Sequence, residues 1–305
     1  MADGAPCSPL ATAVARARRV RALVTGAAGF IGSHVAAALA AGGAEVRAFD
    51  RDEQPAPVDG VEPVLGDLLD ADALRRALDG CDAVFHLAAV YSFARADAEL
   101  MEAVNVRGTR ALLDAALRGP RRRIVHTSSC ATCGPVRGRP ATERDTPPRW
   151  ELRVPYKRTK LDGERAAIAA AAQGADVVIV NPTTPVGPGD RRPTPTGKMV
   201  ADVASGRSRG YLAGSALNIV AVEDVAAGQL RAFERGRAGE RYLLGGENVA
   251  MRDVFAAVAS AAGRSAPTLA IPWAAAYAAA WLADAALRPL SREARLLNLD
   301  EVRLG

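Results

Sequence analysis

Lysine is nearly absent from this chain. Only Lys157, Lys160 and Lys198 are ammonium groups among 39 cationic side chains, and the rest are arginines. Cysteine is also scarce. Four cysteines in 305 residues, at Cys7, Cys81, Cys130 and Cys133, are too few for a disulfide framework in a chain this long. Cys130 and Cys133 form one C-x-x-C, but no second pair or histidine cluster supplies further ligands, so no metal site is expected. The two thiols are expected to pack as small side chains behind Ser129. His34, His86 and His126 are expected as satisfied core residues rather than bases. Long apolar runs are missing. The longest, Trp273 to Leu287, is broken by Asp284 and is shorter than the roughly 20 residues that cross a bilayer, so a buried or partner-facing helix is expected. No apolar signal core opens the chain. Residues 1–19 read as a loose tail, and the expected compartment is the cytoplasm. The net charge is +5 with a pI near 9.3, yet acids are mixed among the arginines and only Arg121 to Arg123 form a compact basic run. Nucleic acid is therefore not an expected partner.

What is present is a globular composition, 49% apolar and 24% charged, with enough chain for a sizeable core. Short apolar runs alternate with helical patterns. Val20 to Thr25, Glu45 to Asp50, Val61 to Leu65, Ala83 to Leu87, Arg123 to Thr127 and Val177 to Val180 read as strands, with helices between them. Nearly continuous Val, Ile, Leu and Ala in such strands predicts burial on both faces, hence a doubly wound parallel α/β sheet of the Rossmann type. Residues 182–197 hold five prolines and three glycines and predict a substrate-side loop without regular helix or sheet. Leu217 to Val222 and Arg241 to Leu244 are expected to return to the sheet. The dinucleotide-binding domain is thus predicted over 20–181 and 217–246, and a smaller substrate domain over 182–216 and 247–305.

Gly26, Gly29 and Gly32 lie directly after the first strand and open the first helix. Glycines at this spacing allow a tight turn and close approach of backbone to a pyrophosphate, and the helix N-terminus offers N–H groups to it. Ala28, Phe30 and Ile31 complete that loop. Asp50 ends the second strand, eighteen residues past Gly32, where a carboxylate can accept from ribose hydroxyls and repel a 2′-phosphate. NAD is therefore expected, with NADP the alternative that Arg51 beside it would favour. Asp67 and Leu68 follow the third strand, where they could flank an adenine. Leu87, Ala88 and Ala89, Thr127, and Asn181, Pro182 and Thr183 follow further strands at the crevice where such folds bind ligands. Tyr91, Phe93 and Lys198 are further candidates to face a substrate.

Tyr156 and Lys160 are four apart on a predicted helix and share a face. Five tyrosines and three lysines in 305 residues would give such a pair by accident only about 0.05 times. In a chain that otherwise uses arginine, a lysine here indicates a need for a compact ammonium rather than a planar fork. The pair suits hydride transfer at a carbinol or carbonyl carbon: a phenol of ordinary pKa ~10, steadied by the ammonium, exchanges the substrate proton. Ser129 ends the fifth strand and could hydrogen-bond the same oxygen.

Taken in order, the loop Thr25 to Gly32, Asp67-Leu68, His86 to Ala89, Asn105 to Thr109, Thr127 to Ser129 and Tyr156-x-x-x-Lys160 resemble the extended short-chain dehydrogenase/reductases. Asn181 to Asp190, Pro193 to Gly197 and Leu243 to Asn248 most resemble the hopanoid-associated sugar epimerases, relatives of the dihydroflavonol reductases. The resemblance implies that Ser129, Tyr156 and Lys160 are catalytic with Asn105 in support, and that Asn105, Tyr156 and Lys160 also lie along the cofactor. It implies an NAD(P)-dependent epimerase or reductase acting on a secondary alcohol or ketone of a small polyol- or sugar-like molecule. It also suggests a homodimer built on two long helices. The alternative is a non-catalytic dinucleotide sensor, against which the intact Ser129, Tyr156 and Lys160 speak. In nucleotide-sugar epimerases an arginine commonly grips the diphosphate where this chain has Leu217. Such relatives also usually continue past the position of Gly305, so the small domain is expected to be truncated at its C-terminus.

Overall fold

A computed structural model describes residues 20–53 and 58–279. The expectations for residues 1–19, for the C-terminal end and for most of the Trp273 to Leu287 helix lie outside these; residues 273–279 are helical. The described chain runs β1 (Arg21–Thr25), α1 (Phe30–Ala41), β2 (Glu45–Asp50), β3 (Val61–Leu65), α2 (Ala71–Leu78), β4 (Ala83–His86), α3 (Ala98–Met101) and α4 (Thr109–Leu117). A π-helical segment, Glu102–Gly108, joins α3 to α4. There follow β5 (Arg123–Thr127), α5 (Pro155–Ala172), β6 (Asp176–Pro182), β7 (Thr184–Val186), α6 (Pro195–Ala204), β8 (Gly210–Leu212) and β9 (Ala216–Ala221). Next come α7 (Val222–Arg235), β10 (Arg241–Leu244), β11 (Glu247–Ala250), α8 (Met251–Ala261) and β12 (Leu269–Ile271).

The main sheet is parallel throughout, in the order β3-β2-β1-β4-β5-β6-β10. Strand alternation divides its side chains between two cores. Ala22, Val24, Val125, Val178 and Val180 pack with Val35 and Leu39 of α1 and Leu230 of α7. Leu23, Val84, Ile124, Val177 and Ile179 pack on the other face with Leu74 of α2, Leu112 of α4 and Ala167 of α5. Both faces are therefore covered, as the uninterrupted apolar runs require. This is a Rossmann-like core with a smaller C-terminal α/β unit.

Two expectations for the second half are corrected. Residues 217–221 do not rejoin the main sheet: β9 pairs antiparallel with β11 and parallel with β7 in a separate three-stranded sheet. Its side chains are mostly half-buried, unlike the fully buried strands of the main sheet, so it suits a layer covered on one side. The proline-rich segment is also more regular than expected. Pro185 sits on β7, an edge strand where a missing N–H costs no ladder bond. Pro195 occupies the first turn of α6, and Thr194 caps that helix through the Gly197 N–H at 3.0 Å. A third core of Val203, Val254, Phe255 and Ala259 holds α6, α8 and the small sheet together.

Candidate active site

The glycine loop is fixed by its own sterics. Gly26 has φ of +72°, and a Cβ there would lie 2.6 Å from the Ala88 nitrogen. A Cβ on Gly32 would overlap the Gly26 carbonyl. Gly29 differs: its added Cβ would meet only the Gly26 oxygen, at 3.1 Å, so its lack of a side chain matters chiefly for what comes against the loop from outside. Gly29 is the N-cap of α1, with no side-chain capping bond, and the first turn carries no acid to compete with an anion. Phe30 and Ile31 begin the helix. Asp50 lies beside this loop, its Oδ2 accepting from the Ala28 N–H at 2.9 Å and its Oδ1 from the Asp52 N–H at 3.3 Å. Arg51 reaches Asp67 at 4.0 Å, and Asp67 also accepts from the Leu69 N–H. Leu68 is buried against Gly108.

The segment after β4 links this loop to the tyrosine. Leu87 N–H donates to the Thr25 carbonyl, Ala88 N–H to the Thr25 hydroxyl, and Ala89 is exposed. Asn105, within the π-helical segment, accepts from the Val90 N–H at 2.7 Å and donates to the Val90 carbonyl at 3.0 Å and the Thr159 hydroxyl at 3.2 Å. The next residue, Tyr91, sets its ring 4.5 Å from that of Tyr156, and Phe93 meets both edge-on at 5.2 and 5.9 Å. Lys198 instead points to Asp202 and is exposed.

Tyr156 and Lys160 rise from the first turns of α5, which starts with Pro155 at a position suited to proline. The Ser129 hydroxyl accepts from the Ala131 N–H at 3.2 Å and lies close enough to the Tyr156 phenol to lower its pKa. Burial pushes that phenol up to about 12, with the neighbouring Ser129 hydroxyl pulling the other way. Lys160 donates to the Thr127 carbonyl at 2.8 Å. Burial brings its ammonium down to about 8, opposed by the Glu164 carboxylate. The ammonium thus touches the end of β5. Beneath it lie two neutral imidazoles. His86 bridges the Thr25 and Thr109 hydroxyls at 2.7 and 2.9 Å, and burial takes it down to about 3. The His126 ring lies tilted against that of His86 at 5.4 Å, but neither of its ring nitrogens has a hydrogen-bond partner, so it is a buried rather than a satisfied residue. His34 is not a core residue: it is half-buried and reaches the Pro188 carbonyl.

Asn181 is fully buried, and its amide nitrogen reaches into a polar cluster under Ser129. Pro182 ends β6 opposite Leu244, whose carbonyl accepts from the Thr183 N–H and hydroxyl. The cluster's other members, Thr132, Glu164 and Arg241, did not emerge from the sequence reading. The available signal was Glu164 falling four residues after Lys160 on the same helical face. Cys130 and Cys133 are free thiols held protonated by burial, Cys133 at about 11.

The profile of the NAD dependent epimerase/dehydratase family matches residues 22–245. This chain belongs to that family. It is 38% identical over 281 residues to a putative dihydroflavonol 4-reductase of Synechocystis, covering 88% of this chain and 80% of that protein. It is 40% identical over 253 residues to the sterol demethylase protein B of Methylococcus capsulatus, covering 82% and 77%. In structure it resembles a dTDP-glucose 4,6-dehydratase of Streptomyces venezuelae solved with NAD and a second ligand, with 29% identity and a TM-score of 0.74 over 83% of this chain and 84% of that one. Among the described residues, no helix of this epimerase/dehydratase family member is long and apolar enough to cross a membrane.

Proposed function

We propose that this chain is an NAD-dependent oxidoreductase that acts on a secondary alcohol or ketone carried by a ring-shaped, sugar-like molecule. The observation that carries the reading is the gathering of Ser129, Tyr156 and Lys160 at the strand ends beside the glycine loop, with the Lys160 ammonium on the Thr127 carbonyl and the Ser129 hydroxyl beside the Tyr156 phenol. The cofactor fits the residues present. Gly29 leaves its backbone open to a pyrophosphate, the α1 N-terminus faces it, and Asp50 stands where ribose hydroxyls would be held. Arg51 is turned toward Asp67, which supports NAD over NADP. When bound, the nicotinamide supplies or accepts the hydride.

The chain's own residues handle the proton. In the reducing direction the Tyr156 phenol gives its proton to the oxygen of the carbonyl whose carbon takes the hydride, and Ser129 donates a hydrogen bond to that oxygen as charge develops. Lys160 holds positive charge nearby and anchors the end of β5. Tyr91 and Phe93 give the substrate an aromatic wall against Tyr156, suited to a flat apolar ring face. Leu217, where nucleotide-sugar epimerases commonly carry arginine, and the relative named as a reductase support net reduction over epimerisation. Epimerisation is favoured instead by the likeness to a nucleotide-sugar dehydratase that holds NAD.

A panel of cyclic ketones and nucleotide sugars, assayed with NADH and NADPH, tests the reading. Net NADH consumption with a ketone supports the reductase. Copurified NAD with stereochemical inversion and no net consumption would shift it to an epimerase. Absence of turnover together with tight NAD binding would leave the sensor.

A further inference from the structure

Beneath Ser129 lies a buried polar cluster that hydride and proton transfer do not themselves employ. Glu164 is 1% exposed, and its carboxylate has partners on three other elements. Its Oε1 accepts from Arg241 of β10 at 2.9 Å. Its Oε2 lies 2.7 Å from the Thr132 hydroxyl and 2.6 Å from the Asn181 amide nitrogen. The Thr132 hydroxyl has a single proton, and the carboxylate is its strongest acceptor. That leaves an Asn181 N–H for the Ser129 carbonyl, at 3.1 Å. Arg241 also donates to the carbonyls of Thr132, Glu143 and Asp145, so the same guanidinium ties down the loop that leads toward α5.

We propose that Glu164 is a positioning residue for Ser129: through Thr132 and Asn181 it fixes the backbone that carries the serine hydroxyl beside Tyr156. Three features support a positioning role over mere packing. An unpaired buried carboxylate is costly, so Glu164 holds its partners firmly while Arg241 balances its charge. Both of its links through Thr132 and Asn181 meet the short turn Cys130–Thr132 that begins at Ser129. Finally, Glu164 shares a helical face with Lys160 and Tyr156, so one rigid helix carries both the phenol and the carboxylate that sets its partner. The proposal rests on reading Ser129 and Tyr156 as the proton-handling pair.

The test needs no substrate. In protein labelled with [13Cζ]tyrosine, the Tyr156 signal, assigned by its loss in Tyr156→Phe, reports hydrogen bonding at the phenol oxygen. Ser129→Ala sets the displacement expected when the serine hydroxyl is gone. Glu164→Gln and Thr132→Val should move the signal in the same direction, and Thr132→Ser, which keeps the hydroxyl, should restore it. Glu164→Gln in a Ser129→Ala background should add no further displacement. The proposal is overturned if Thr132→Val, the milder variant, folds by circular dichroism and leaves the signal where it is. A displacement of equal size with and without Ser129 also overturns it. Full-rate turnover by Tyr156→Phe would defeat the proton-transfer reading alone, since the resonance reports geometry whether or not the phenol donates its proton.

Discussion

Asn105 closes around the backbone of Val90 as another strand would, accepting from its N–H at 2.7 Å and donating to its carbonyl at 3.0 Å. A π-helical turn makes this reach possible by displacing the residue from regular α geometry, as such turns often do at functional sites. Asn105→Ala would leave both groups of Val90 without these partners and is expected to destabilise the fold by about 1–3 kcal/mol. Tyr91, one residue on, would lose its fixed place against Tyr156. Urea denaturation checks the first effect. The second should appear as a raised KM for the ring ketone with little change in NAD affinity.

Replacing the tyrosine phenol separates binding from chemistry. Tyr156→Phe keeps the ring that stacks on Tyr91 but removes the proton donor. Turnover should fall by roughly 10²-fold or more while NADH affinity stays nearly unchanged, measured by steady-state kinetics and fluorescence titration.

Lys160→Arg tests the meaning of the rare lysines. Lys160 is 7% exposed, and its ammonium fits against the Thr127 carbonyl. A guanidinium keeps the charge but is wider and planar, so the change should lower turnover by about tenfold or more despite equal charge. An arginine variant as active as the parent would show that only charge matters there.

The glycines should differ in what they break. Gly29→Val is expected to fold and to lose NAD affinity, because little of the protein itself fills the space beside that Cα. Gly26→Ala should instead fold poorly, since its Cβ collides with backbone at Ala88 and its φ is positive. Isothermal titration and thermal melting together tell the two apart.

The histidine pair predicts a pH dependence of stability. Burial holds the folded pKa of His86 at about 3 and that of His126 well below 6.5, so between those values the unfolded chain binds more protons than the folded one. Stability contributed by the neutral rings is complete above about pH 6.5 and is lost as pH falls toward 3, by up to about 1.4 kcal/mol per pH unit for each ring. His126→Phe, which removes two unpartnered nitrogens and keeps an aromatic ring against His86, should flatten that loss. Denaturant midpoints at pH 7, 5.5 and 4.5 measure it.

Much of the main sheet was legible because its signals are local. Val177 to Val180 has no polar interruption, and a strand so composed needs cover on both sides. Gly26 and Gly32 announce themselves by position between a strand and a helix. The small sheet was not legible, because Leu217 to Ala221 could serve either sheet and its partners lie at residues 184–186 and 247–250. Pro195 is ambiguous for a related reason: proline ends a helix from within but begins one well. The Glu164 cluster escaped because its members come from four separate elements, and only folding places Thr132, Asn181 and Arg241 around one carboxylate.

The position of β10 bears on how the chain is made. This last strand of the main sheet is supplied some sixty residues after the β6 neighbour it pairs with. During synthesis the β6 edge therefore emerges from the ribosome well before its cover, and contacts so distant in sequence are slow to form. Because Arg241 is the guanidinium that neutralises Glu164, nascent chains that stop short of it carry a lone anion in a half-built interior. Such chains should be the ones that chaperones retain, and the serine turn should become ordered only once residue 241 has left the exit tunnel.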